Sequence, residues 1–305
     1  MAAQSFYFAA MTIYESFLPE VAVGEARQRL SGFGWAMGYF GGILAIMLLL
    51  PIVAGQPESL GLIALCFTVL AVIGGLLCVI VLSIMRLEGF ARLHGTQHTP
   101  RLGSMLGGLR SWRSNPEIFQ LLLGTTLIQM GVFVVITFTT PVLSGRFGQG
   151  LEDLFWLLLL IHIFAVPSTL GWSHLMTGSS RRAAALFLLA AWVLVLSLLA
   201  FGSGSWMPLF TVIVIGCCLG ATFSGLRGFL AEAAEGSNPV VLFALGTVSG
   251  RIAAALGPAM FSVILLAAGE QVALMAAALV LAVGGAILFS YLGRNTAPAK
   301  RHTLS

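Results

Sequence analysis

The stretch LGLIALCFTVLAVIGGLLCVIVLSIM, residues 60–85, carries no charged side chain. As a helix rising 1.5 Å per residue it would cross the roughly 30 Å hydrocarbon core of a bilayer. Apolar runs of this kind recur along the 305-residue chain. Their recurrence constrains the fold more than any other feature. In lipid every backbone N–H and C=O must find a partner within the protein, which leaves helices or closed barrels. Barrel strands are about ten residues long and alternate apolar with polar positions. These runs are longer and apolar on all sides. Only 9% of the residues are charged and the mean hydropathy is +1.00, whereas soluble domains carry about 25% charged residues. The expected fold class is an all-α integral membrane protein, a multi-helix bundle.

Nine apolar segments are predicted, at 2–17, 33–53, 60–86, 118–140, 153–171, 183–202, 206–226, 240–267 and 271–293. The first, AAQSFYFAAMTIYESFL, is short and carries Glu15. It has neither the basic start nor the small-residue cleavage site of a signal peptide. Lys and Arg collect in cytoplasmic loops. With the C-terminal tail cytoplasmic, alternation puts 13 of the 15 basic residues on that side, from Arg27 and Arg29 through Arg181, Arg182 and Arg227 to Arg301. The opposite side receives Arg146 with Glu58, Glu152, Asp153 and Glu270, and Arg251 falls inside a span. The net charge of +4 is explained by inner-face loops, so no nucleic-acid partner is implied.

Cys66, Cys78, Cys217 and Cys218 all fall within apolar spans and form no Cys-x-x-Cys, which indicates buried small hydrophobes rather than disulfides or a metal site. The residues 87–117, LEGFARLHGTQHTPRLGSMLGGLRSWRSNPE, form the one long polar connection. His94 and His98 lie four apart in it without a third ligand nearby, so a solvated linker is favoured over a metal site. There is no Walker A loop and no His-Glu-x-x-His, and GFGWAMG has the wrong spacing for a dinucleotide fingerprint. The chain is expected to be no enzyme and to need no cofactor and no metal.

A long basic loop followed by six helices resembles the plan of the major facilitator superfamily, two six-helix halves joined by a cytoplasmic linker. YESFLPEVA (14–22) followed by SGFGWAMGYFGG (31–42) looks like the segment joining the fourth and fifth helices of one branch, the vacuolar effluxer-like, autophagy-linked permeases and their bacterial relatives. LGATFSGLRGFLAEAAEG (219–236) resembles the end of the tenth helix, and LFALGTVSGRIAAALGPAMF (242–261) resembles the eleventh. The chain departs from the pattern in two places. The eighth-to-ninth loop GWSHLMTGSSRR (171–182) keeps glycines and arginines but no acid, and Gln129-Met130-Gly131 stands where an Asn-Asp pair precedes a glycine. The resemblance implies that residues 1–86 are a partial N-terminal half of three helices, 87–117 the linker, 118–293 the six-helix C-terminal half and 294–305 a tail. The nine helices would be the fourth to twelfth of a twelve-helix plan, with the first three absent or encoded upstream of Met1.

The implied activity is secondary transport, a permease or effluxer moving a small polar metabolite such as an amino acid by alternating access. Its partners would be the solute, the lipid bilayer and a coupling ion or proton, in a bacterial inner membrane. The competing reading is a truncated, non-transporting membrane protein with a structural, regulatory or lipid-handling role. Arg251, about eleven residues into its span, is the sharpest candidate for binding an anionic group. His162 would line the path or sit in the core as a hydrogen-bonded histidine. Gln129 would contact a polar solute or a neighbouring helix. Glu15 reads as a solvated cap near the cytoplasmic end. Arg227, Arg181 and Arg182 would hold the cytoplasmic gate, and Pro141, Pro167 and Pro258 would interrupt helix hydrogen bonds. Gly34, Gly38 and Gly42, four apart, form a ridge for close helix packing, and Gly246 and Gly250 with Ala254 repeat it. The resemblance implies that the first ridge packs near 153–171, and that the second lacks its partner and opens to lipid or another chain.

Overall fold

The computed structural model describes residues 11, 12, 14–55, 60–87, 115–176, 181–234 and 239–295. The linker core 88–114 with His94 and His98, most of the first expected segment and the tail from 296 lie outside the described residues. Among the described residues the chain is all helical. A short α1 (Leu18–Val21) is followed by α2 (Glu25–Gly55) and α3 (Leu60–Leu87). The second group is α4 (Pro116–Phe147), α5 (Leu151–Leu175), α6 (Arg181–Phe201), α7 (Met207–Ala233), α8 (Pro239–Ala268) and α9 (Glu270–Asn295). Seven helices, α2 and α4 to α9, contain stretches long and apolar enough to cross a membrane. The chain is a multi-pass helical membrane protein.

The helices begin and end where local chemistry allows. Asn115 caps α4, its side-chain oxygen accepting from the Glu117 and Ile118 N–H groups at 3.1 and 3.4 Å, with Pro116 in the first turn. Gly148 closes the same helix at φ 65°. A single residue, Gly269, joins α8 to α9 at φ 87°, a left-handed turn that a side chain would strain. Helix α2 starts at Glu25 rather than 33 because its polar first turns have partners. Ser31 is fully buried and donates to the Ser224 carbonyl at 2.9 Å, and Arg27 donates to the Ala22 carbonyl at 2.8 Å. Pro141, Pro167 and Pro258 lie inside α4, α5 and α8, which continue through them. A missing N–H leaves one carbonyl without its helix bond but does not end a helix held by its neighbours.

Helices α4 to α9 form the packed bundle. α4 lies along α8 and α9, α9 also along α6, and α7 along α5. α2 lies on the outside against α5 and α7. α3 touches α2 only slightly, and Leu65, Phe67, Val72, Leu76 and Val79 stand exposed on it. The bundle centre holds Trp192 on α6, fully buried, with its indole N–H donating to Thr222 Oγ1 of α7 at 2.7 Å. At the end where α4 and α6 finish, Arg146 donates to the Leu199 and Ala200 carbonyls at 2.5 and 2.8 Å and pairs with Glu270 at 3.9 Å. A cation there meets the negative end of the α6 dipole.

Glycine sets how close the axes come. A Cβ on Gly284 of α9 would lie 2.7 Å from the Ile128 nitrogen of α4, and one on Gly216 of α7 would lie 2.5 Å from the Ile161 carbonyl of α5. The two ridges expected from the sequence behave differently. Gly42 lies against α5, where a Cβ would fall 2.6 Å from the His162 ring, but nothing stands within 4 Å of a Cβ on Gly38. Each four-residue step overshoots a full turn by about 40°, so the row winds off the face. The residues that meet α5 are instead Gly32, Tyr39 and Gly42. The second ridge is not open. A Cβ on Gly246 would meet Leu230 of α7 at 2.7 Å, and one on Gly250 would meet Gln129 of α4 at 2.8 Å.

Overpacking a full core commonly costs about 1–3 kcal/mol. Gly284→Val is therefore expected to lower the thermal unfolding midpoint in detergent by several degrees. Gly225→Ala, whose Cβ would find only the Met176 methyl at 3.9 Å, is expected to leave it unchanged or raise it. Equal midpoints for the two variants would contradict the close α4–α9 contact.

Candidate functional site

Five segments converge on one cavity of about 180 Å³, lined by charged and apolar side chains together. α4 supplies Gln129, α7 Arg227, α8 Arg251, α2 Trp35, and the helical residues before α1 supply Glu15. Arg251 stands twelve residues into α8, about 18 Å along its axis. Charged side chains at such depth are retained where they face one another or water rather than lipid.

Arg227 is the best enclosed of these groups at 8% exposure. Its guanidinium lies 4.9 Å over the Tyr14 ring, a cation–π contact contributing about 1 kcal/mol. Bare backbone at Gly34 leaves room for this pair, since a Cβ there would touch both Arg227 Nη1 and the Tyr14 hydroxyl at 3.4 Å. The Arg227 Nε is buried and has no hydrogen-bond partner. Glu15 lies within the field of both Arg227 and Arg251. Two guanidiniums against one carboxylate leave the described lining with one excess positive charge.

The remaining wall is aromatic. Trp35 stacks on Phe223 with centroids 5.1 Å apart and planes at 19°, and Phe133 meets the same Phe223 at 6.2 Å. Thr247 lies on the α8 side, its hydroxyl 3.0 Å from that of Thr12 and donating to the Phe243 carbonyl at 2.9 Å. Gln129 is held by α8 at its back, where Gly250 leaves space for its Oε1.

Of the residues singled out in the sequence, Arg251, Gln129 and Arg227 come together here, and Arg227 belongs to the cavity rather than to a terminal gate. His162 does not line it. Its ring packs between Gly42 and Tyr39 of α2, 5.9 Å from the Tyr39 centroid, and Nδ1 lies 2.9 Å from the Leu158 carbonyl. It is a packing histidine of the α2–α5 contact. Arg181 and Arg182 stand at the start of α6. Arg181 pairs with Glu232 of α7 at 2.5 Å and lies 4.5 Å over Phe229. Arg182 donates to the Gly293 and Leu292 carbonyls at 2.6 and 3.3 Å, at the end of α9. Both arginines fasten the bundle's own helices together.

Glu15, Tyr14 and Trp35 were not among the expected site residues. Glu15 had a signal in the sequence, a carboxylate within an apolar segment, but a solvated cap or loop charge is the favoured reading of it there. No family model matches the chain, and no curated protein matches it.

Arg227 lies close enough to Glu15 for their opposite charges to attract, and removing one leaves the other less compensated. Glu15→Ala and Arg227→Ala are each expected to lower stability by about 1–3 kcal/mol. The double variant should fall short of the sum by at least about 0.5 kcal/mol. Additivity in denaturation of the purified protein would show that the two side chains do not interact.

Proposed function

We propose that this chain is a secondary transporter, a permease or effluxer of the major facilitator type, and that it moves a small polar metabolite bearing an acidic group by alternating access. The observation that carries the reading is the cavity lined by Arg227, Arg251, Glu15 and Gln129 beside helices long and apolar enough to cross a membrane. Ionised groups in a bilayer are expensive unless they serve one another or a solute, and three of them around a space of about 180 Å³ leave room for a ligand among them. Amino acids are the substrate class that the family resemblance implies. The sliding surface would be the α2–α5 contact, where Gly32 and Gly42 bring a smooth backbone against α5. Smooth small-residue contacts let helices shift without unlocking large side chains.

The Arg181–Glu232 pair and Arg182 would fix the cytoplasmic end of the C-terminal half while α2 moves against it. The membrane would be a bacterial inner membrane, oriented with the basic connections inside.

The test is uptake by reconstituted proteoliposomes of a metabolite mixture, read by mass spectrometry. Arg251→Gln is expected to reduce transport of whichever solutes accumulate by at least about tenfold, the cost of a lost charge-assisted contact. His162→Ala, which leaves the cavity lining intact, is expected to change it by less than about threefold. Unchanged transport in Arg251→Gln would remove that residue from the path, and absence of any uptake would remove the transporter reading.

A further inference from the structure

Resting on that reading, we infer that the cavity between α2, α4, α7 and α8 is built for an aromatic monocarboxylate rather than for a zwitterion. Three observations point there independently. The described lining holds two guanidiniums and one carboxylate, so a ligand carrying one negative charge brings the site to neutrality. A zwitterion carries no net charge and would leave that excess of positive charge in the lining unchanged. Arg227 lines the cavity and is nine-tenths buried, so its charge is poorly screened. A carboxylate can accept two parallel N–H bonds from one guanidinium.

The third observation is shape. Trp35 and Phe223 are stacked on each other, with Phe133 beside them, and all three line the cavity. Ring faces favour offset stacking on another ring. An apolar cavity of about 150 Å³ accepts benzene, so about 180 Å³ accommodates a ring with a short acidic side chain. Glu15 would lie on the same charged side as the arginines. There it repels a dianion, and on entry of the ligand it shares the guanidiniums with the incoming carboxylate.

The probe is 3-phenylpropionate, radiolabelled, with the full chain in nanodiscs. Competitors are its neutral amide, 3-phenylpropanamide, the zwitterion phenylalanine and the cation phenethylamine. The carboxylate is expected to bind, the amide and the amine to compete at least about a hundredfold more weakly, and phenylalanine at least about tenfold more weakly. Arg227→Gln should weaken binding at least about tenfold. If that variant fails to fold, Arg251→Gln is expected to show the same loss. Trp35→Leu should weaken 3-phenylpropionate about tenfold and leave acetate competition unchanged.

Phenylalanine binding as tightly as 3-phenylpropionate would overturn the monocarboxylate while leaving a transporter of amino acids standing. Binding of the amide as tightly as the acid would overturn any role for the guanidiniums. If no member of the panel binds the folded protein, the inference is overturned, and the metabolite-mixture uptake decides the transporter reading by itself.

Discussion

Direct contact between helix backbones is the constraint on which the rest of this structure depends. In lipid no hydrophobic force gathers apolar helices, so they associate through close packing and a few polar contacts. Here the closeness comes from glycine. Gly284 lets α9 touch α4, Gly216 lets α7 touch α5, and Gly42 lets α2 settle on the His162 ring. With the axes that near, only small spaces remain between helices, and a cavity survives only where side chains of several elements hold it open.

The polar groups follow from that packing. At one end of the bundle Arg146 ties α4 to the ends of α6 and the start of α9. At the other, Arg181 and Arg182 tie the start of α6 to the ends of α7 and α9. Both sets use cations at the carbonyl ends of helices, where the dipole is negative. Between these fastened ends lie Glu15, Arg227 and Arg251, charged groups with aromatic neighbours. The terminal pairs hold the bundle together, and the middle group is the one with space beside it.

Much of this was legible in the sequence, and the failures have physical causes. The apolar runs placed α3 to α9 to within a few residues, apart from the ends of α4 and α7, which each run seven residues past the expected 140 and 226. The arginine inside a span, Arg251, announced a polar interior because lipid tolerates no isolated charge. The Gly34–Gly38–Gly42 ridge was read as one face, but a four-residue repeat drifts round a helix of 3.6 residues per turn. Only Gly42 of the three meets α5. The second ridge was expected to stand open and is filled by Leu230 and Gln129. His162 had two readings of equal weight, and packing against Tyr39 selects the plainer one.

The sequence by itself determined that the chain crosses a membrane several times as helices. Backbone hydrogen bonding in lipid admits few alternatives, and composition and run length are properties of the chain alone. It also determined which charges would be costly. Only the tertiary structure decided which of them meet. Glu15 stands more than two hundred residues before Arg227 and Arg251, and no spacing rule links the three. They come together because glycine contacts fix the rotation of α7 and α8 about their axes, and rotation, unlike hydropathy, is set by the neighbours a helix finds.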